Sequence, residues 1–456
     1  MELIGIILIG VYLLTSIVIG ILSSRKKTPE GFLLGDRNIG SVSTFTTIAA
    51  SKTGGGFFLS LVAFTYLYGV GAIWYIVGLV IGFLVFYLFA KQRLKDEADQ
   101  NKYYTLADYI FKSYGKTAGY LAAFLSFLIL SSGIILQLTS GSKSLFEITG
   151  FSFNISLIVI SAVILIYLLL GGFKAVVKTD TFQYVAIVAM VILIVFGLFS
   201  LGRISAEYLN IWEVGFVNII TFIIFGTIIP FYTPEFYQRI YATRNKQTLK
   251  KAFTLSMTIY PLVALAVLFM GLIIRTYLPD IDQETALIRG LIDLLPVWFM
   301  GVGGVLMFSA IMSSADTYIF TDTSVLLQDF VLRNKQITKE QLVKYFRVVM
   351  LIVVILGIIT SYFLRSIVIS TYLWAAIGTI LGTGVLATWI FRKISGLALS
   401  LGFIFGLLIL LYVLITNSFS PMVVGYSLVA VILGLILGSI IKKFIKPKKH
   451  ALINQQ

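Results

Sequence analysis

The sequence predicts an all-α integral membrane protein of about thirteen transmembrane helices, with a five-plus-five inverted-repeat core. Three observations carry that expectation. Hydrophobic residues fill 59% of the 456 positions and charged residues only 12%, and apolar runs of roughly twenty residues recur from end to end. Lysine and arginine gather in alternate loops. Two of the apolar runs are interrupted by glycine or proline at corresponding places. No hydrophilic stretch is long enough for a separate soluble domain, so 1–456 reads as a single membrane domain.

Composition closes off several classes. Cysteine is absent and the single histidine, His450, lies in a basic tail, which removes disulfides, thiolate metal sites and histidine proton relays. A net charge of +15 would suggest nucleic acid in a soluble protein; here it sits in short loops and reports topology, so no nucleic-acid partner is expected. No His-Glu-x-x-His, nucleophile elbow or Walker A loop occurs, so the chain is not expected to be an enzyme.

In order, the apolar runs lie near 3–23, 42–69, 71–91, 117–144, 153–170, 181–201, 213–234, 252–275, 296–326, 347–364, 367–391, 395–416 and 421–441. The first lacks a basic leader and a small-residue cleavage signal, and reads as a retained span. Arg25, Lys26, Lys27 and Arg37 follow it. The loop 91–116, Lys174 with Lys178, the loops 239–251 and 333–347, Arg392 with Lys393, and 442–449 fall on the same side. Asp280, Asp282 and Glu284 fall opposite. The positive-inside rule then puts the N-terminus outside and the C-terminus in the cytoplasm of a multi-pass cell (inner or plasma) membrane protein. Segments 105–114 and 338–345 have capping residues and helical spacing, and read as surface helices.

The first interruption is 48–58, IAASKTGGGFF, where Gly54, Gly55 and Gly56 each weaken a helix by roughly 1 kcal/mol relative to alanine. Bare carbonyls at membrane depth need a receiver, which lipid does not supply, so a break there predicts an internal binding site. Lys52, costing roughly 2.5–3.5 kcal/mol at a bilayer centre, needs compensation too. The second interruption is 225–234, FGTIIPFYTP, in which Pro230 and Pro234 each remove a backbone donor. Spans two and seven run in opposite directions. The chain thus divides into an extra helix and loop at 1–41, repeats at 42–201 and 213–391, two further helices at 392–443 and a basic cytoplasmic tail at 444–456, the pattern of a secondary transporter with a midplane site.

Chemistry concentrates in 309–322, SAIMSSADTYIFTD, where Ser313, Ser314, Asp316 and Thr317 place oxygen in an apolar helix. Hydroxyls and carbonyls suit a hard cation such as sodium, and Ala50 and Thr53 would offer carbonyls from the broken helix. Serines also pack helices and bond back to their own carbonyls; the residues alone leave both roles open. Phe57, Phe58, Phe231, Tyr232, Tyr372 and Trp374 flank the expected cavity.

Four segments resemble the sodium:solute symporter family: LGDRNIG (34–40) leading into AASKTGGGFF, GGFKAVVKTDTFQ (171–183), FYQRIYATRNKQTLKKA (236–252) and AIMSSADTYIF (310–320). YYTLADYIFKSYG (103–115) is similar to the family's segment after the third span. The resemblance implies the LeuT-type core, with a sodium site made by the carbonyls of Ala50, Thr53 and Ala310 and the hydroxyls of Ser313 and Ser314. In some members a second cation position involves the carboxylate matching Asp180, beside hydroxyls where this chain has Asp316 and Thr317. Lys52 is the departure, since members commonly carry a neutral, aromatic or acidic residue there. Three roles are open to it: binding an anionic group of the solute, pairing with Asp180 or Asp316, or standing in for a cation. Ser51, Lys52, Gly54, Phe57, Phe58, Phe231, Tyr232 and Trp374 are the candidate substrate contacts. The expected function is sodium-coupled uptake of a small organic solute, carboxylate-bearing if Lys52 faces it, by alternating access. Rivals are the same carrier driven by protons or by no ion, with Lys52 replacing the cation, and a membrane solute sensor. The expected partners are the solute and the lipid bilayer, and the sequence carries no signal for an oligomeric state.

Overall fold

The computed structural model describes residues 3–22, 28–90, 94–170, 172–333, 335, 338–391 and 393–444. Expectations resting on Arg25, Lys26, Lys27, Lys91, Gly171, Arg392 and the tail from 445, with His450, lie outside these residues. Among the described residues every extended regular element is helical. The chain runs through α1 (Leu3–Leu22), α2 (Pro29–Leu34), α3 (Ser41–Lys52), α4 (Gly55–Tyr68), α5 (Ile73–Ala90), α6 (Leu94–Asn101) and α7 (Leu106–Tyr114). It continues with α8 (Lys116–Thr149), α9 (Phe153–Leu170), α10 (Phe173–Phe199), α11 (Phe216–Tyr232), α12 (Pro234–Ala242) and α13 (Lys246–Tyr277). The remainder is α14 (Ala286–Leu294), α15 (Phe299–Val325), α16 (Lys339–Phe363), α17 (Ile367–Ile390), α18 (Gly396–Thr416) and α19 (Met422–Phe444).

Each expected apolar run coincides with one of these helices or with a broken pair. By length and composition, nine described stretches suffice to cross a membrane, Gly55–Leu88 counting once, and the bent pair α11–α12 makes a tenth. The expected thirteen are not reached on that measure. Among the described residues α1 and α9 count only as shorter apolar helices, and α4 passes into α5 through a single tight turn. Gly69 makes that turn at φ +57°, where a Cβ would lie 2.7 Å from the Tyr208 carbonyl oxygen.

Local chemistry fixes the ends. Thr105 and Asp108 form a reciprocal capping box that starts α7, and Thr338 with Gln341 does the same for α16. Segment 105–114 is therefore a helix of its own. Segment 338–345 instead forms the opening turns of α16, because no glycine or proline separates it from the apolar run that follows.

The most enclosed of the membrane-length helices is α15, buried along nearly its whole length and packed by α8, α10 and α1. Helices α5 and α11 cross backbone to backbone. A Cβ on Gly78 or Gly82 would stand 2.3 Å from the carbonyl oxygen of Ile223 or Thr227, and one on Gly226 would stand 2.4 Å from that of Tyr75. The start of the first broken span is clipped to the end of α12, since the Ile39 N–H donates to the Ala242 carbonyl (3.1 Å) and the Arg244 N–H donates to that of Ile39 (3.0 Å).

Outside the spans, Glu284 joins three elements. Its carboxylate accepts from the ammonium of Lys143 on α8, from the Ser366 hydroxyl, and from the N–H groups of Ile367 and Val368 at 3.2 Å, capping α17. Burial pushes its carboxyl upward, but the bonds from Lys143 and Ser366 and the Lys143 charge outweigh that and hold it below the ordinary carboxylate range. A carboxyl lowered on folding stabilises fully above its ordinary range, and that contribution is lost as the pH falls through the lowered value. Glu284→Gln is expected to lower the melting temperature near pH ~7, with the gap to the unaltered chain closing toward pH ~3. A gap equal at both pH values would assign the loss to packing instead.

Candidate functional site

The first break falls one residue before the glycine triplet and includes only its first member. Helix α3 ends at Lys52; Thr53 (φ −101°, ψ 47°) and Gly54 (φ −74°, ψ 168°) leave helical geometry, and Gly55 opens α4. None of the three glycines has a positive φ. Their role is close approach: a Cβ on Gly54 would lie 2.3 Å from Ser314 Oγ, on Gly55 2.2 Å from Ile311 Cγ1, and on Gly56 2.5 Å from Leu136 Cγ. The triplet lets α15 and α8 touch the broken helix.

What α15 brings is oxygen. Ser313 Oγ lies 3.3 Å from the Ala50 carbonyl and 3.1 Å from that of Ala310, and Ser314 Oγ lies 3.5 Å from Ala50 and 3.3 Å from Ser51. The Tyr318 hydroxyl approaches the same Ser51 carbonyl at 3.4 Å. Four of the five expected ion ligands, Ala50, Ala310, Ser313 and Ser314, thus converge, with the Ser51 carbonyl beside them. At Thr53, where the carbonyl is the expected ligand, the hydroxyl donates to Ala49 O at 3.0 Å. Separations of 3.3–3.5 Å are at the long end for hydroxyl hydrogen bonds, so these oxygens are held near one another without being consumed by one another. A neutral set of carbonyl and hydroxyl oxygens suits a hard monovalent cation; among the described residues no group of three or more carboxylate, histidine or cysteine side chains gathers for another metal.

Lys52 has a partner that sequence reasoning missed. Its Nζ donates to Glu235 Oε1 at 2.6 Å, with the two side chains 4% and 1% exposed. Glu235 is the second residue of α12, just past the second break at Thr233, where the span bends by 43°. The pair ties the two interruptions to each other, and the expected partners Asp180 and Asp316 are not the ones joined to it. A carboxylate in the first turn after Pro234 favours the helix N-terminus, and a buried lysine demands an opposite charge; together those two signals point to Glu235.

One turn on, Arg239 is fully buried. It contacts Thr47, Glu235, Thr317 and Asp180, and the Thr47 hydroxyl donates to the same Asp180 oxygen. Asp316 lies fully buried on α15. Gln238 binds the Leu33 carbonyl (3.3 Å) and accepts from Thr321 (2.9 Å), a packing role in keeping with the helix ends it joins.

Above the Lys52 pair lies a cavity of about 50 Å³. Its walls include the expected Lys52, Gly54, Phe57 and Trp374, and also Gln137, Tyr75, Tyr260 and Tyr318. Gln137 Oε1 accepts from the Gly56 N–H at 3.1 Å, and Ser60 and Thr371 share a hydroxyl bond of 2.7 Å at the wall. One water needs roughly 10–15 Å³ on this measure, so the space suits a small solute. Phe58, Phe231 and Tyr232 do not line it. Phe58 packs edge-on behind Phe57, Phe231 against Phe86 and Trp389, and Tyr232 against the back of Trp374. Tyr372 stacks on Phe64, which is itself in the wall.

A family model described as SSF: Sodium:solute symporter family matches residues 32–392. The osmoregulated proline transporter OpuE of Bacillus subtilis (strain 168) is 25% identical over 421 residues, covering 86% of this chain and 84% of its own. The sodium/proline symporter of Staphylococcus aureus (strain JH9) is 27% identical over 388 residues, covering 78% and 75%. Among solved structures, a substrate-bound, outward-open Na+-coupled sialic acid symporter superposes with a TM-score of 0.83 at 17% identity over 98% of both chains. Mhp1, a nucleobase-cation-symport-1 family transporter in a closed conformation, superposes with a TM-score of 0.63 at 13% identity, covering 92% of this chain and 95% of its own. These likenesses carry the fold: all-helical, with the LeuT-type inverted-repeat core.

Proposed function

Because the chain belongs to the sodium:solute symporter family, we propose that it couples uptake of a small carboxylate-bearing solute to the sodium gradient by alternating access. Sodium sits between the Ala50, Ser51, Thr53 and Ala310 carbonyls and the Ser313 and Ser314 hydroxyls. The solute occupies the cavity above Lys52. The observation that carries this reading is the approach of Ser313 and Ser314 to the Ala50 carbonyl, at 3.3 and 3.5 Å, across the gap left by Gly54. Proline, carried by the relatives' names, is the first carboxylate to try. Gln137 and the unshared protons of Lys52 supply donors for a carboxylate, and Phe57 and Trp374 supply apolar wall.

Sodium on that site and solute beside it join α3, α4 and α15, and their binding lowers the cost of rocking one helix bundle against the scaffold. The N-terminus faces outside and the C-terminus the cytoplasm, following the positive charge in alternate loops. Pairing of Lys52 with Glu235 weighs against a lysine that replaces the transported cation, because its charge is already matched.

Uptake into proteoliposomes of the full chain tests the proposal. A panel of radiolabelled proline, other amino acids and monocarboxylates is expected to include a solute accumulated under an inward sodium gradient. The same solute should not be accumulated under a proton gradient or with potassium on both sides. Accumulation indifferent to sodium would overturn the coupling.

A further inference from the structure

On the side that the proposed orientation makes cytoplasmic, an open cavity of about 540 Å³ lies between the entry to α7, the start of α8 and the segment Leu326–Val331 that ends the α15 span. Five cations face it: Lys102, Lys112, Lys116, Arg333 and Lys335. Two carboxylates lie close by, and both are occupied. Asp108 caps α7 by accepting from the N–H groups of Tyr104 (2.8 Å) and Thr105 (3.1 Å), Asp329 accepts from the Thr105 hydroxyl (3.0 Å), and each lies 3.4 Å from the same Arg333 nitrogen. That guanidinium is held further by the Phe111 ring, whose centre is 3.2 Å away. The four lysines form no ion pair with any described carboxylate. Elsewhere on this face the pattern differs: Lys95 meets Asp99 at 2.7 Å, Lys174 meets Asp36 at 2.6 Å and Lys246 meets Asp96 at 2.5 Å.

Topology asks only for positive charge in these loops, and any scatter of lysines would satisfy it. This set surrounds a concavity, and the concavity continues along a span. Lys116, Tyr120 and Phe124 recur at every fourth residue and so share one face of α8, where both rings are exposed. Phe111 from the cavity wall and the exposed Phe330 meet the Tyr120 ring at 4.9 and 6.2 Å between centres, which makes the cavity and the apolar stripe one surface. A soluble phosphate would use only its basic end. A phospholipid uses both ends, with its phosphate among the ammonium groups and an acyl chain along α8. One water needs roughly 10–15 Å³ on this measure, so the cavity admits a hydrated phosphodiester headgroup. A zwitterionic headgroup would bring its own ammonium to four unmatched lysines, and a net-negative one is favoured for that reason. We propose that this cavity binds one anionic phospholipid, whose headgroup ties α7 and α8 to the end of the span that carries Ser313 and Ser314. The site is independent of which ion and solute the chain carries.

The test is native mass spectrometry of the purified full-length chain released from a nonionic detergent and titrated with phosphatidylglycerol. The first phosphatidylglycerol is expected to bind about tenfold more tightly than phosphatidylcholine with the same acyl chains, and excess glycerol 3-phosphate is expected not to displace it. Each lysine charge at an anionic lipid is worth roughly fivefold in affinity, so Lys112→Gln with Lys116→Gln should weaken that first binding on the order of thirtyfold. Lys250→Gln with Lys251→Gln removes the same charge from another stretch of this face and should weaken it by less than about threefold. All four substituted lysines are exposed, and a thermal melt checks that each variant is folded. Equal losses in the two double variants would reduce the cavity to a general basic surface. Equal binding of phosphatidylcholine would remove the preference for negative charge, and displacement by glycerol 3-phosphate would make the occupant a soluble phosphate. Any of the three overturns the proposal.

Discussion

Glu235→Gln is expected to destabilise the folded chain by about 3–5 kcal/mol, the usual cost of leaving one member of a buried ion pair alone. Lys52 lies with its side chain only 4% exposed, 2.6 Å from the carboxylate that would be removed. The measurement is a thermal melt in detergent. Lys52→Met with Glu235→Gln, which removes both charges, is expected to recover most of the loss, because a pair of neutral residues of similar volume costs little where a bare ammonium costs much. The same variants separate stability from ion binding. An unmatched ammonium on the order of 6 Å from a bound sodium repels it by about 3 kcal/mol at an effective dielectric of about 20. The sodium concentration giving half-maximal protection should therefore rise about a hundredfold in Glu235→Gln and fall back in the double variant. Equal melts and equal sodium dependence in the single and double variants would show that Glu235 does not balance Lys52.

The second large effect is expected from one methyl group. In Gly54→Ala the new Cβ would lie 2.3 Å from Ser314 Oγ, 2.8 Å from Ser314 Cβ and 3.0 Å from Gln137 Nε2, so the break must move away from α15 or the serine must rotate. Either response separates Ser314 from the Ala50 and Ser51 carbonyls. Overpacking of this kind costs about 1–3 kcal/mol, and the loss of sodium protection is expected to exceed the loss of stability. Gly425→Ala is the control, with nothing within 4 Å of the new atom. It is expected to leave sodium protection unchanged and to raise stability slightly, as alanine favours a helix. Sodium protection of Gly54→Ala equal to that of Gly425→Ala would separate the glycine from the ion site.

Much of the fold was legible because lipid imposes a crude rule. Roughly twenty apolar residues make a span, and the runs ending near Leu22, Leu170 and Thr416 are helices where the hydropathy put them. Ser313 and Ser314 were legible for the converse reason: hydroxyls in an enclosed apolar helix need partners, and Ala50 at a break offers one. Less was legible where position depends on which face of a helix is turned inward. Tyr75 lines the cavity from α5, a helix apolar almost all round whose sequence marks no inner face. Phe231 and Tyr232 look the same as Phe57 in sequence and are packed behind the wall. Glu235 escaped notice because it stands 183 residues from Lys52 and beside two prolines that drew the explanation for the break. The glycine triplet marks the break, and its neighbours add a second reason for it, since a Cβ at any of the three would collide with a side chain of α15 or α8.

The crossing of α5 over α11 has a mechanical consequence. Where Gly78, Gly82 and Gly226 bring main chain against main chain, no layer of side chains is left to shear or exchange rotamers, and a slip would have to jump a whole turn. Two helices from opposite halves of the chain are thereby welded into one lever. Whatever gives way during a transport cycle must do so at softer joints, and the long hydroxyl contacts between α3 and α15 are of that kind.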